Sequence, residues 1–70
     1  MSMEYIQRYY SVPARVGGRI RYTGGRHAML GTITESQGQY IMVQLDGQQH
    51  SMPYHPTWGI EYLDGQKTNA

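Results

Sequence analysis

Seventy residues with no cysteine and a formal net charge of +1 allow one small domain, exclude a disulfide framework, and fall short of the basic balance of a dedicated nucleic-acid binder. A core of this size must pack economically, oligomerise or lean on a partner, so a homo-oligomer is one of the expectations. The first residues lack the basic segment and apolar run of a secretory signal, and no stretch approaches the about 20 apolar residues of a membrane-spanning helix. The expectation is a soluble, cytoplasmic protein without membrane association.

Charge is unevenly placed along the chain. Residues 1–35 carry five Arg and two Glu, net +3, while residues 36–70 carry one Lys and three acids, net −2. One end or face should therefore be positive, which favours an anionic partner modestly.

In chain order, residues 1–15 form an N-terminal arm. Met3, Ile6, Tyr9 and Tyr10 stand at three- and four-residue spacings that suit a helical turn, but Tyr9-Tyr10 and the following Ser11-Val12-Pro13 suit an extended segment equally. The arm is read as irregular or extended, with its tyrosines packed on the domain. Residues 16–64 make that domain. Gly17-Gly18 turns into a first strand, Arg19 to Thr23, whose charged or hydroxyl residues alternate with Ile20 and Tyr22 as a strand with one wet and one buried face requires.

Gly24-Gly25-Arg26-His27-Ala28 is a loop with two residues free to adopt positive φ. A second strand runs from Met29 to Thr34, a polar hairpin spans Glu35 to Gln39, and a third strand, Tyr40 to Leu45, buries Ile41, Val43 and Leu45 on one face. Asp46-Gly47 is the strongest hairpin signal, and Gln48 to Met52 are expected to pair back directly as a fourth strand. Pro53 and Pro56 argue against a strand around them and favour a compact or 3₁₀ turn. A final strand, Ile60 to Leu63, precedes a polar, disordered tail over 65–70.

That order of strands and turns resembles an SH3-like barrel, which implies an all-β, five-stranded fold with a short 3₁₀ turn before the last strand. Within it, Arg19-Ile20-Arg21-Tyr22-Thr23-Gly24 and Gly31-Thr32-Ile33 resemble the KOW motif of ribosomal proteins and transcription elongation factors, with Gly31 as the motif's glycine. The resemblance implies a loop that contacts RNA or protein, here Gly24, Gly25, Arg26 and His27, although the lysines usual there are missing. Val12-Pro13-Ala14 with the closing His55 to Leu63 segment is similar to short proteins of bacteriophages and prophages, implying an accessory or host-interaction role.

Catalytic and metal signatures are weak. His27, His50 and His55 lack zinc spacing, and no cofactor or metal is expected. Ser51 adjoins His50, yet neighbours along a strand point to opposite faces and cannot form a nucleophile–base pair. Gly24 to Gly31 leads into a strand, without the helix N-terminus that a phosphate loop needs. The chain reads as a non-enzymatic binding module.

Seven Tyr, one Trp and no Phe accompany five Arg and a single Lys. Tyr in place of Phe suits half-exposed interfaces, and Arg binds phosphate or carboxylate through a planar fork. The leading expectation is RNA or DNA contacted through Arg19, Arg21, Gly24, Gly25, Arg26 and His27, with Tyr40 or Tyr54 stacking a base. The plain alternative is that tyrosines cap a small core and arginines solubilise it. Trp58 reads first as a plug in the open end of the barrel. The SH3-like resemblance also implies that its region borders a peptide groove, so Tyr54, Pro56 and Trp58 form the alternative site, for a host or self protein partner. A third expectation is an oligomer enclosing a small anionic ligand.

Overall fold

A computed structural model describes residues 3–63, so the tail expected over 65–70 lies outside the described residues. Five antiparallel strands form one sheet: β1 (Arg19–Tyr22), β2 (Met29–Gln37), β3 (Tyr40–Leu45), β4 (Met52–Tyr54) and β5 (Ile60–Tyr62), in the order β4-β3-β2-β1-β5. The ladder does not close into a barrel, because β4 and β5 remain its two edges.

The core is the set of inward side chains that the alternation marks. Ile20, Ile33, Ile41, Val43 and Leu45 are buried in one cluster with Tyr62, Ile6 and Ala14. Burying each of the larger aliphatic side chains stabilises the fold by about 1.5–3 kcal/mol. Gly31 completes the packing by lacking a side chain, since a Cβ there would stand 2.8 Å from Val43 Cγ1 and 3.0 Å from the Gln44 carbonyl.

The nine-residue β2 is shared between two partners. Its first half pairs with β1, from Arg19↔Thr32 to Tyr22↔Met29, and its longer part pairs with β3. The register with β3 shifts between Ile33 and Glu35, leaving Thr34 as an extra residue. Such a bulge bends the strand and increases its twist. Thr34 Oγ1 donates to the Met42 carbonyl at 3.3 Å and shares a 2.8 Å bond with Ser51 Oγ. The polar run expected as a hairpin loop is mostly strand, with only Gly38-Gln39 between the paired Gln37 and Tyr40.

Two expectations are corrected beyond β3. Gln48 to His50 do not pair back; β4 begins at Met52 and contains Pro53. Of Asp46 and Gly47 only the glycine has positive φ, +93°, so the turn follows the type II pattern, whose twist splays its flanking strands. The Asp46 N–H bonds the Leu30 carbonyl at 2.9 Å and the Asp46 carboxylate is held by Arg19, which draws the turn towards β1 and β2. Pro53 is tolerated because β4 is an edge strand, where a missing N–H can face outward.

The arm is also corrected. Residues Met3–Tyr10 form a helix, α1, and Ile6 and Ala14 are fully buried in the same core as the sheet. Glu4 and Arg8 pair one turn apart at 3.1 Å, and the burial of Ile6 outweighs the modest helix propensity of two consecutive tyrosines. The helix stops by itself: the Val12 N–H reaches back to the Gln7 carbonyl at 3.2 Å and Ser11 adopts φ +56°, the 6→1 bond and left-handed residue of a Schellman cap. The Gln7 side chain then donates to the Ala14 carbonyl, tying the chain after Pro13 back to the helix.

Candidate binding surface

The arginines nominated on the sheet face are engaged with acids. The Arg19 guanidinium forks onto Asp46, Nη1 to Oδ1 at 3.0 Å and Nη2 to Oδ2 at 2.7 Å, and Nη1 also donates to Thr32 Oγ1 at 2.7 Å. These hydrogen bonds hold the Asp46 carboxyl below its ordinary range against a smaller opposing effect of desolvation. Arg21 stands opposite Glu61 in the ladder and gives one of its carboxylate oxygens two contacts, from Nε at 2.8 Å and Nη2 at 2.6 Å. A phosphate arriving on this face would have to displace two carboxylates. Arg26 differs: it is exposed and forms no ion pair with any described residue.

The loop that carries Arg26 is locked to the turn that carries Trp58. The Thr23 N–H donates to the Gly59 carbonyl at 2.7 Å. A Cβ on Gly59 would lie 2.9 Å from the Gly24 nitrogen, and one on Gly24 would lie 2.7 Å from the Tyr22 hydroxyl. Gly24 is therefore needed for close approach and not for the positive φ that the sequence suggested, since neither Gly24 nor Gly25 takes one. Tyr22 and Tyr54 meet at 4.8 Å between ring centroids. The two sets of residues proposed for different partners, Gly24 to His27 and Tyr54 to Trp58, thus lie side by side.

Trp58 is not a core plug. It is 72% exposed, while Pro56, two residues earlier, is fully buried. The turn around them is a single one, closed by the Trp58 N–H on the His55 carbonyl at 3.3 Å, the compact alternative of the two turns expected there. It is pinned from below by Tyr62, whose hydroxyl donates to the Pro56 carbonyl at 2.6 Å. Burial pushes the Tyr62 phenol up to about 12. The His55 ring is fixed by accepting the Thr57 N–H at Nδ1, 3.1 Å, with Thr57 Oγ1 at the same distance. Accepting a backbone N–H makes Nδ1 the unprotonated nitrogen and leaves the ring proton on Nε2.

From that turn a ribbon of rings runs onto the helix. His55 stacks on Trp58 at 4.1 Å and 11°, Tyr10 meets His55 edge-on at 5.0 Å, Tyr9 meets Tyr10 edge-on at 4.8 Å, and Tyr5 stacks on Tyr9 at 5.4 Å and 13°. Burial, then the neighbouring phenols of Tyr9, Tyr5 and Tyr40, raises the Tyr10 phenol, which brings Tyr40 into the same neighbourhood. Tyr9 is 64% and Tyr40 49% exposed. Tyr5, Tyr9, Tyr10 and His55 were not among the candidate binding residues read from the sequence. Tyr5 and Tyr9 come within stacking distance only when residues 3–10 are helical, since in an extended arm they would stand about 13 Å apart, so treating the arm as extended hid the ribbon.

Elsewhere, an open polar recess of about 250 Å³ is lined by Thr32, Gln44, Leu45, Asp46, Gly47 and Gln48. Among the described residues no three His, Cys, Asp or Glu side chains converge on a metal position, and no helix is long and apolar enough to cross a membrane. Comparison of the chain with protein-family models, curated proteins and solved structures finds no match.

Proposed function

We propose that this protein is a non-enzymatic protein-interaction module that docks an extended peptide segment along the Tyr5–Tyr9–Tyr10–His55–Trp58 ribbon. The observation that carries the reading is five rings held at centroid spacings of 4.1 to 5.4 Å and ending in an indole that is mostly in water. Tyr and Trp offer large contact areas with few rotatable bonds, and they dominate the energetics of protein interfaces. A chain with so small a core has little reason to leave its single Trp exposed unless another surface covers it.

The architecture we assign is an SH3-like barrel closed by side chains. The strand order supports it, because the last strand returns to pair with the first. So do the bulged β2 shared between two strands and the Tyr22–Tyr54 contact, which brings β1 and β4 together across the open ladder. The side-chain-free space at Gly31 supports the KOW-like reading of that strand.

Nucleic acid is the second reading, and the Arg26–His27 loop beside the rings favours it. It is weaker because binding phosphates needs several available cations, and Arg8, Arg19 and Arg21 are each paired with a carboxylate. The deciding experiment pans a displayed random-peptide library on the protein, with Trp58→Ala as the subtraction control, and titrates the selected synthetic peptides by Trp58 emission. Enrichment that depends on Trp58 supports the peptide reading. Absence of enrichment, together with binding of an oligo-dT probe that falls steeply with salt, would replace it with the nucleic-acid reading.

A further inference from the structure

We infer that the docked segment is acidic at the end that lies against Trp58, with Arg26 as its counter-ion. This inference rests on the peptide-binding reading and deepens it by naming the chemistry of the partner.

Three observations converge on it. First, the position of the loop is built in: Thr23 is bonded to Gly59, and Gly59 lies so close to Gly24 that a Cβ on Gly59 would stand 2.9 Å from the Gly24 nitrogen. Arg26 stands two residues beyond Gly24, and Trp58 one residue before Gly59. Second, the charges of the other arginines just described are satisfied within the chain: Arg8 by Glu4, Arg19 by Asp46 and Arg21 by Glu61. Third, the acid on the ribbon's own helix, Glu4, is taken by Arg8 one turn away. The ribbon is electrically balanced along α1 and positive where the loop adjoins it.

Complementarity then specifies the ligand. A guanidinium offers two parallel N–H donors that fit a carboxylate side-on, and an uncompensated charge at the rim of an apolar surface favours an opposite charge and disfavours a like one. A single guanidinium such as that of Arg26 matches one or two carboxylates better than it matches a strand carrying a phosphate at every nucleotide. The partner is therefore a protein segment with apolar or proline residues for the rings and Asp or Glu at one end.

The test compares libraries selected on the wild-type chain and on Arg26→Glu, a change at an exposed loop position, with far-UV circular dichroism to verify that the variant keeps its fold. Wild-type selections should be enriched in Asp or Glu at one end. Arg26→Glu should lose or invert that preference, and a selected acidic peptide should bind it about tenfold more weakly, an effect abolished when the peptide's acids become amides. Ring-dependent binding with no acidic preference, or with a preference that Arg26→Glu leaves unchanged, overturns this inference while leaving the peptide-binding function standing. Failure to select any peptide above the Trp58→Ala control removes both. Competition by oligo-dT as strong as by the peptide would assign the loop to nucleic acid and overturn the acidic-peptide inference.

Discussion

Replacing Trp58 with alanine separates a displayed side chain from a packed one. The ring is 72% exposed and its close aromatic contact is the 4.1 Å stack on His55. An aromatic pair contributes about 0.5–1.5 kcal/mol beyond its buried area, and little area is lost here, so the substitution should destabilise the fold by about 1 kcal/mol. For a domain of this size that lowers the melting temperature by about 4–8 °C. Had Trp58 filled the core, the loss would be about 3–5 kcal/mol, against a total stability on the order of 4–10 kcal/mol for a chain of this length. Thermal and urea unfolding followed by far-UV circular dichroism distinguishes the two. A loss of 3 kcal/mol or more, on the scale of a cavity in the core, would refute the exposed placement and with it the ribbon.

Tyr62→Phe should destabilise by about 1–3 kcal/mol, because the buried Pro56 carbonyl loses its donor. The Tyr62 phenol titrates near 12 when folded against 10.0 ordinarily; its folded value is raised, so its contribution is full below pH 10 and is lost as pH climbs towards 12. The wild-type chain should therefore lose stability over that alkaline range and Tyr62→Phe should lose less, as unfolding curves at stepped pH would record. Ser11→Gly should stabilise by about 1 kcal/mol by relieving a left-handed non-glycine residue at the helix cap; a lower midpoint in urea would contradict the cap. Gly31→Ala should cost about 1–3 kcal/mol, since its Cβ would press on Val43 and on the Gln44 backbone, and a neutral result would show that β3 can move away.

Much of the fold was legible because it depends on alternation. Ile20, Ile33 and Val43 share one buried cluster, as side chains two apart on twisted strands must when one face is apolar, and residues 19–45 contain no helix. What failed was local chemistry decided by tertiary contacts. Tyr9-Tyr10 and Pro13 argued against a helix, yet burial of Ile6 makes one and the cap at Ser11 ends it before the proline. Asp46-Gly47 promised a tight hairpin, but the Arg19 fork and the Leu30 carbonyl hold it elsewhere. Pro53 looked like a strand breaker and lies on an edge. The binding surface was legible in halves: composition pointed to Tyr and Arg, and the loop and the proline turn were both nominated, but their meeting through Thr23, Gly24 and Gly59 has no signature along the chain.

The most direct test of the ribbon is a heteronuclear NMR titration of the labelled protein with a peptide selected on it, read at the single indole N–H and at the backbone amides. Perturbations should cluster at Trp58, His55, Tyr10, Tyr9 and Tyr5, with the Arg26 loop joining them. Shifts confined to Arg19, Arg21, Thr32 and Asp46 would place the contact on the ion-paired sheet face and contradict the account.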